Sequence, residues 1–560
     1  MDIVCGGCIK EEFNKRDSYF IHESDNKSVE NIIDIQVQAK NFIVKRTQSL
    51  ADVYERVQLL GQGAYGSVYK VKRKGTGTRE IIRALKEISK KSMNVSQESV
   101  NEIRNEIEVL KNIDHPNIMK IFEFFEDDKN IYLINEFCGG GDVAGMNDKY
   151  GPFPEIFLKY IMFQIFLAIS FLHSNQVVHG DIKRENIAFV YSGKKQKKEQ
   201  IDEYFKILFK DKELQEELND APGMENLSDK TKSILEEMCN YEMKILDFGS
   251  SKMKKNGKQN EKLTGITGTV YYCSPEVIKE KYDYECDEWA CGIMMYILLT
   301  GIPPFDGESE EKIFESILED DLNLDIPQLK NVSEPCKDLI KKLLEKNPKK
   351  RINAEEALKH EFFTTGINVG NLLKGKYKEN SEYLRKMFNN KNLLRGKKKN
   401  SKFRDIVIAY IALNFSDENE KKKAKQIFME MSGGNKHFLI TKDTFVSRLG
   451  KVYKGLKKEE IEDLFDTIDE NKTGNIEYEE LLRALSDKEK LLNDKNLREA
   501  FSFFDKDGSG SITWNEIAEI IDPEKKIPKN IIKEFLNEIG EQDENMKIDY
   551  FEFKRILRTR

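Results

Sequence analysis

A glycine-rich run, Gly61-Gln62-Gly63-Ala64-Tyr65-Gly66, lies between two strand-like stretches, Val53–Leu60 and Ser67–Lys72. This placement constrains the fold more than any other feature. A glycine turn that opened a helix would suit a dinucleotide-binding unit, whereas one joining two strands makes a hairpin. Val68 stands in the second strand, and Ala84-Leu-Lys86 follows downstream. Helical periodicity then covers Ser99–Leu110, and further strand-like runs appear at Ile118–Phe125 and Ile131–Phe137. Beyond residue 155 long amphipathic patterns dominate. The order predicts a strand-rich small lobe followed by a helix-rich large one.

Four more motifs follow in the large lobe. They are His179-Gly-Asp181-Ile-Lys183-Arg-Glu185-Asn186, Asp247-Phe-Gly249, Ser274-Pro-Glu276 and Asp287-Glu-Trp-Ala-Cys-Gly292. Together, in this order, they resemble the protein kinase family over its full length. The resemblance implies that Gly61, Gln62, Gly63, Ala64, Tyr65, Gly66 and Val68 cover ATP, with Ala84, Asn135 and Glu136 in the same nucleotide site. It implies that Lys86 holds the α and β phosphates and is itself held by Glu106 on the following helix. Asp181 is implied to orient the substrate hydroxyl and accept its proton, and Lys183 to neutralise the moving phosphoryl group. Asn186 and Asp247 are the implied magnesium ligands. Lys183 beside Glu185 looks like a Ser/Thr rather than a Tyr kinase, and Glu185 with Asp142 implies a preference for basic residues upstream of the target hydroxyl. Gly180 replaces an Arg that relatives pair with the activation loop, so independence from phosphorylation there is expected. Asn135 is an unusual polar residue at the back of the nucleotide site, and Ser274 is a mild replacement for Ala.

Two acidic twelve-residue segments lie near the carboxyl end. In the first, oxygen-bearing Asp469, Asn471 and Thr473 stand at positions 1, 3 and 5, Gly474 allows the sharp turn, Asn475 takes position 7 and Glu480 closes the loop. The second repeats the plan with Asp505, Asp507, Ser509, Gly510, Ser511 and Glu516. Calcium wants 6–8 oxygen ligands, and this spacing wraps side-chain and carbonyl oxygens around one point. Two weaker repeats flank the pair. Aligned through Ile548, the last has Glu541, Asp543, Asn545, Lys547 and Glu552, but Met546 replaces the glycine, which leaves calcium binding there open. Aligned through Ile440, the first offers Gly433, Asn435, His437 and Thr444 without a carboxylate, so a structural role without metal is expected.

Composition sets the outer bounds of the reading. The chain has 560 residues, with 91 basic and 98 acidic side chains, a near-balance that argues against a dedicated nucleic-acid binder. Its 33 Phe and 21 Tyr suffice for cores, which excludes wholesale disorder. Eight scattered Cys predict a reducing, cytoplasmic setting. No apolar run reads as spanning a bilayer and no signal peptide opens the chain, so no transmembrane segment is expected. Asp2 excludes the usual myristoylation signal, while Cys5 and Cys8 leave open a flexible tail, palmitoylation with peripheral membrane contact, or a redox pair.

The predicted organisation is an extension over 1–53, a kinase domain over 54–363, a basic junction over 364–425 and a calcium module over 426–560. An insertion over about 192–240, opening with Lys194-Lys-Gln-Lys-Lys198, reads as a solvated surface element, with partner binding the alternative. In the junction Leu384, Met387 and Phe388, then Phe403, Val407, Tyr410 and Ile411, recur at helical spacing among Lys and Arg. These parts in this order are similar to calcium-dependent protein kinases of plants and protists, and the fold class is α+β: a bilobal kinase followed by an all-α, calmodulin-like domain of four EF-hands. The resemblance implies ATP, Mg2+ and Ca2+ as cofactors and protein substrates as partners. The expected switch is intramolecular. The junction inhibits the kinase until calcium-loaded hands draw it away, because a basic amphipathic helix is what such a groove recognises. A simple charged linker is the plain alternative for the junction. A calcium-sensing pseudokinase scaffold is the rival for the whole chain, and a calcium buffer or adaptor would not need the kinase motifs.

Overall fold

A computed structural model of the chain describes residues 42–46, 48–63, 66–74, 80–90, 97–191, 198–254, 263, 269–374, 402–432, 439–452, 457–469, 472–521 and 547–558. All of them fall in one compact unit, Gln36–Arg560. Ala64, Tyr65, Lys194-Lys-Gln-Lys, Leu384, Met387, Phe388, Gly433, Asn435, His437, Asn471, Glu541, Asp543, Asn545, Cys5 and Cys8 lie outside the described residues.

The small lobe is a six-stranded sheet in the order β1-β5-β6-β4-β3-β2. Its strands are β1 (Val44–Lys45), β2 (Tyr54–Gly63), β3 (Gly66–Arg73), β4 (Ile82–Ser89), β5 (Ile121–Glu126) and β6 (Asn130–Asn135). β5 alternates buried and partly buried residues, the period of a strand with one face on a core. Its inward positions include Glu123, only 2% exposed. A carboxylate so buried requires compensation. It receives Arg46, Arg73 at 3.5 Å and the Tyr54 hydroxyl. Burial would raise the Glu123 carboxyl, but Arg46 and Arg73 outweigh it and hold it at about 2.

Arg46 belongs to the stretch expected to be a loose extension, and here that expectation is corrected. Val44 and Lys45 pair parallel with Glu123 and Phe124, and Phe42 and Ile43 are buried. The segment from residue 42 onward is part of the small lobe, because Glu123 and the edge of β5 give its polar backbone and guanidinium partners.

The large lobe is organised around a helix, Glu155–Ser174, apolar on all sides and almost wholly buried. By length and composition this helix is long enough to cross a bilayer, contrary to the expectation that no run approaches that length. Its burial marks it as a core helix. The segment expected to be a solvated insertion is also part of this core. Its helices, Lys198–Lys210, Lys212–Asp220 and Asp229–Met238, bury Phe205 and Leu208, Leu214 and Leu218, and Leu235 and Met238 at spacings of three or four. Phe205 and Phe209 pack on Phe157 and Phe153 at ring-centroid distances of 5.9 and 5.1 Å. Asp211 and Ser228 cap the second and third helices. The dense charges mark only the outward faces, and the apolar stripes between them bury against the lobe.

The described half of the junction is corrected likewise. Helix Lys402–Phe415 is not a basic amphipathic helix: Phe403, Ile406, Val407, Ile408, Tyr410 and Ile411 are all buried. It is enclosed by the calcium module. Tyr410 stacks on Phe503 at 3.9 Å, and Phe403 meets Phe504 and Phe553 at 5.7 and 5.9 Å. Phe42 reaches the same Tyr410 ring at 5.6 Å. Truncation of a buried aromatic costs about 3–5 kcal/mol. Tyr410→Ala is therefore expected to lower the urea midpoint of the calcium module well below that of the wild type, measured with tryptophan fluorescence of Trp514.

The calcium module rests directly on the kinase. The backbone N–H of Glu479 donates to Asp114 at 2.6 Å, and the Glu479 carboxylate pairs with Lys120. Arg73 reaches Glu499 at 3.4 Å, and Arg46 donates to the carbonyls of Ser502 and Phe503 at 3.4 and 3.1 Å. Lower down, Lys425 pairs with Glu242 at 3.4 Å and donates to Gln164 at 3.3 Å.

Candidate active site and calcium loops

Antiparallel register places Lys86 on β4 opposite Val68 of β3 and Leu133 of β6. Its ammonium lies 3.0 Å from both oxygens of Glu106, carried by helix Gln97–Lys111, and 2.8 Å from Asp247 Oδ1. Burial would lower the Lys86 ammonium, but the two carboxylates outweigh it and raise it. Burial would raise Asp247, but Lys86 holds it below the usual carboxylate value. Asp247 has a φ of 58°, a left-handed conformation that Asp tolerates better than most residues.

The catalytic loop places Lys183 Nζ 2.7 Å from Asp181 Oδ2. Asn186 donates to the Asp181 carbonyl and to Oδ2 at 2.9 and 3.0 Å. Thr269 Oγ1 bridges the pair, accepting from Lys183 at 2.8 Å and donating to Asp181 Oδ1 at 3.3 Å. Asp287 suspends the loop from below, accepting from the N–H groups of His179 and Gly180 at 2.9 Å each. Gly180 adopts φ 78°, where a glycine is unstrained.

Ala84 pairs with Asn135, which is 3% exposed, while the Glu136 carboxylate is taken by Lys244 at 2.9 Å. Gly61 and Gln62 face Val68 and Ser67 across the hairpin, and Gly63 faces Gly66. Asp142 caps the helix Val143–Tyr150 through the N–H of Gly145 at 2.7 Å, and Glu185 pairs with Arg184 at 3.2 Å. Neither carboxylate stands idle.

In the calcium loops, Ile440 pairs with Ile476 and Ile512 with Ile548, so the hands join in twos. Asp469 accepts the N–H groups of Thr473 and Gly474 at 3.0 and 2.9 Å, and Asp505 those of Ser509 and Gly510 at 2.9 and 3.0 Å. Gly474 and Gly510 have φ 79° and 83°, which allow the chain to turn at position 6. Thr473 Oγ1 donates to the Asn475 carbonyl, and Ser509 Oγ to that of Ser511. Asp505, Asp507 and Glu516 bring one carboxylate oxygen each within 4.8 Å of one another. Glu480 is buried and accepts from the N–H of Glu477 at 2.9 Å. In the last hand Lys547 is exposed on its strand, and Glu552 accepts from the N–H of Asp549 at 3.3 Å.

A sequence model of the protein kinase domain matches residues 54–363, and models of the EF-hand domain pair match 439–488 and 494–558. Calcium-dependent protein kinase 3 of Plasmodium berghei is 32% identical over 529 residues, covering 93% of this chain and 83% of the relative. The chain belongs to the calcium-dependent protein kinase family. Calcium-dependent protein kinase 5 of Plasmodium falciparum is 30% identical, with 92% and 80% covered, and calcium-dependent protein kinase 4 of the same organism is 30% identical, with 92% and 88% covered.

The cofactors of such a kinase are ATP, Mg2+ and Ca2+, and the residues present fit them. Lys86 offers a cation fixed between carboxylates, and Asp247, with its side chain 48% exposed, offers a hard oxygen donor. Asn186 spends its amide N–H groups on Asp181, so its acceptor oxygen is the atom left for a metal. Magnesium, when bound, offsets the charge that spreads over the phosphate oxygens. Asp505, Asp507 and Glu516 match the all-oxygen donor set that calcium takes.

Sequence reasoning missed Thr269 and His173, and it placed Asp287 in a motif without giving it the role of holding the catalytic loop. His173 Nε2 lies 2.9 Å from Asp287 Oδ2 and Nδ1 lies 3.3 Å from Glu288. Burial would lower the imidazole, but Glu288 and Asp287 raise it to about 10. A folded value above the unfolded ~6.5 means this ion pair stabilises fully below pH 6.5 and is lost as pH rises through 10. The kinase is expected to lose a few kcal/mol of stability between those limits, and His173→Gln to flatten that slope in thermal melts at pH 7 and pH 10.

Proposed function

We propose that this kinase transfers the γ-phosphate of ATP to Ser or Thr of protein substrates, that basic residues upstream of the target favour a substrate, and that calcium activates it by relieving inhibition through the junction. The observation that carries the reading is the Asp181 carboxylate, held by Lys183 and Asn186 of its own loop and by Thr269 from a later segment of the chain. In this role Asp181 orients the substrate hydroxyl and accepts its proton, and Lys183 neutralises the moving phosphoryl group. Lys86, fixed by Glu106, takes the α and β phosphates, and Asn186 and Asp247 hold magnesium. Such chemistry is largely positioning and electrostatics, which a rigid hydrogen-bonded loop supplies.

The regulatory part rests on the docking of the calcium module. The helix leaving the second loop is capped by Asp114 of the kinase, and the helix entering the third is held by Arg46 and Arg73. A change in either loop thus bears on the small lobe as well as on the enclosed helix Lys402–Phe415. Phosphoamino-acid analysis of a labelled peptide library tests the substrate reading: label on Ser and Thr, enriched where Arg or Lys lies upstream, is expected. Label on Tyr alone would reject it.

A further inference from the structure

Glu185, one of the two carboxylates expected to meet a basic substrate, already holds a cation from within the chain. Arg184 lies in the short turn Arg184–Asn186, directly after Lys183. Its Nε donates to Glu185 Oε1 at 3.2 Å. Its terminal nitrogen donates to Asp148 Oδ1 at 3.2 Å and to Asn147 Oδ1 at 3.0 Å. The guanidinium fork therefore spans the catalytic loop and the helix Val143–Tyr150. The side chain is 26% exposed, Glu185 48% and Asp148 68%, so the group faces solvent three residues from Asp181.

We infer that Arg184 is a specificity-determining residue that competes with a substrate's basic side chain for Glu185 and so tempers the preference for basic targets. The inference rests on the reading that Glu185 recognises such a side chain. A carboxylate has two oxygens, and one oxygen of Glu185 is engaged by Arg184. An incoming arginine must share the carboxylate or displace the resident guanidinium, and the two like charges repel at short range. Exposed pairs of this kind are weak, which makes the competition reversible and its effect moderate. Arg184 has no direct place in phosphoryl transfer here. It acts on which peptide reaches Asp181.

The measurement is the ratio of kcat/KM for two peptides that differ only in Arg or Gln at the upstream position, taken on the full chain in calcium. The ratio is internal to each variant, so a general loss of activity cancels. Arg184→Gln is expected to raise the ratio about fivefold, and Arg184→Lys, which keeps the charge without the fork, to raise it less. Glu185→Gln is expected to bring it close to one. If Glu185→Gln leaves the ratio unchanged, the recognition reading fails and this inference with it. If Glu185→Gln lowers the ratio while Arg184→Gln leaves it level or lowers it, only the assignment of Arg184 is overturned. Should the thermal midpoint show that Arg184→Gln does not fold, Arg184→Lys decides, and a ratio equal to the wild type overturns the assignment.

Discussion

Asp247→Ala is expected to lower phosphoryl transfer at saturating calcium at least about 1,000-fold, with the fold intact. Asp247 is half exposed at the cleft and makes one strong ion pair, with Lys86. Glu106 still holds Lys86 in the variant, at 3.0 Å on either oxygen, so the lysine is not left buried without a partner. What disappears is the carboxylate offered to magnesium and its hold on the phosphate charge. Thermal midpoints of the two proteins should agree within a few degrees, because no apolar surface is lost. A variant retaining a tenth or more of wild-type transfer would show that Asp247 is not part of the machinery.

The second large effect concerns the calcium loops. Moving a switch from 1:99 to 99:1 takes about 5.5 kcal/mol of differential binding. One loop at 100-fold above its dissociation constant contributes at most about 2.7 kcal/mol, so two sound loops are just enough. Glu480 and Glu516 close these loops, and a glutamine offers one carboxamide oxygen where a carboxylate offers two. Glu516 is well placed to show this, since Oε1 accepts the Lys506 N–H at 2.7 Å and Oε2 the Thr513 N–H at 2.8 Å, anchoring both ends of its loop. With one loop lost, about 2.7 kcal/mol remains and the active fraction should reach roughly one half. Glu480→Gln or Glu516→Gln alone is therefore expected to plateau near half of wild-type activity, and the double variant to stay near the calcium-free rate. A double variant that still activates fully would assign the switch elsewhere.

Local patterns in the sequence located most of the structure. The strands flanking the glycine turn, the helix bearing Glu106 and the order of the catalytic motifs are all readable, and the fold brings Glu106 and Asp247 within 3.0 Å of Lys86. The pairing of hands through Ile440–Ile476 and Ile512–Ile548 was likewise predictable from loop spacing. The features that escaped depend on distant partners. Arg46 reads as a surface residue in a polar stretch until Glu123 and the Phe503 carbonyl are placed beside it. Thr269 carries no local signature, since its worth lies in its contact to Asp181, and the motif that begins at Asp287 does not reveal that its carboxylate reaches the N–H groups of Gly180 and His179. The lysines and arginines around helix Lys402–Phe415 suggest a basic amphipathic helix, whereas the aromatic rings it meets decide its burial. In the insertion, charge density concealed apolar stripes that only a helical projection separates.

One chain joins calcium sensing to phosphoryl transfer. This coupling is tested most directly by the initial rate of label transfer from ATP to a basic Ser/Thr peptide, measured on the full chain against buffered free calcium. A steep rise from a low baseline, absent in Asp247→Ala and halved in Glu516→Gln, is the predicted result. Equal rates in calcium and in chelator would contradict the account.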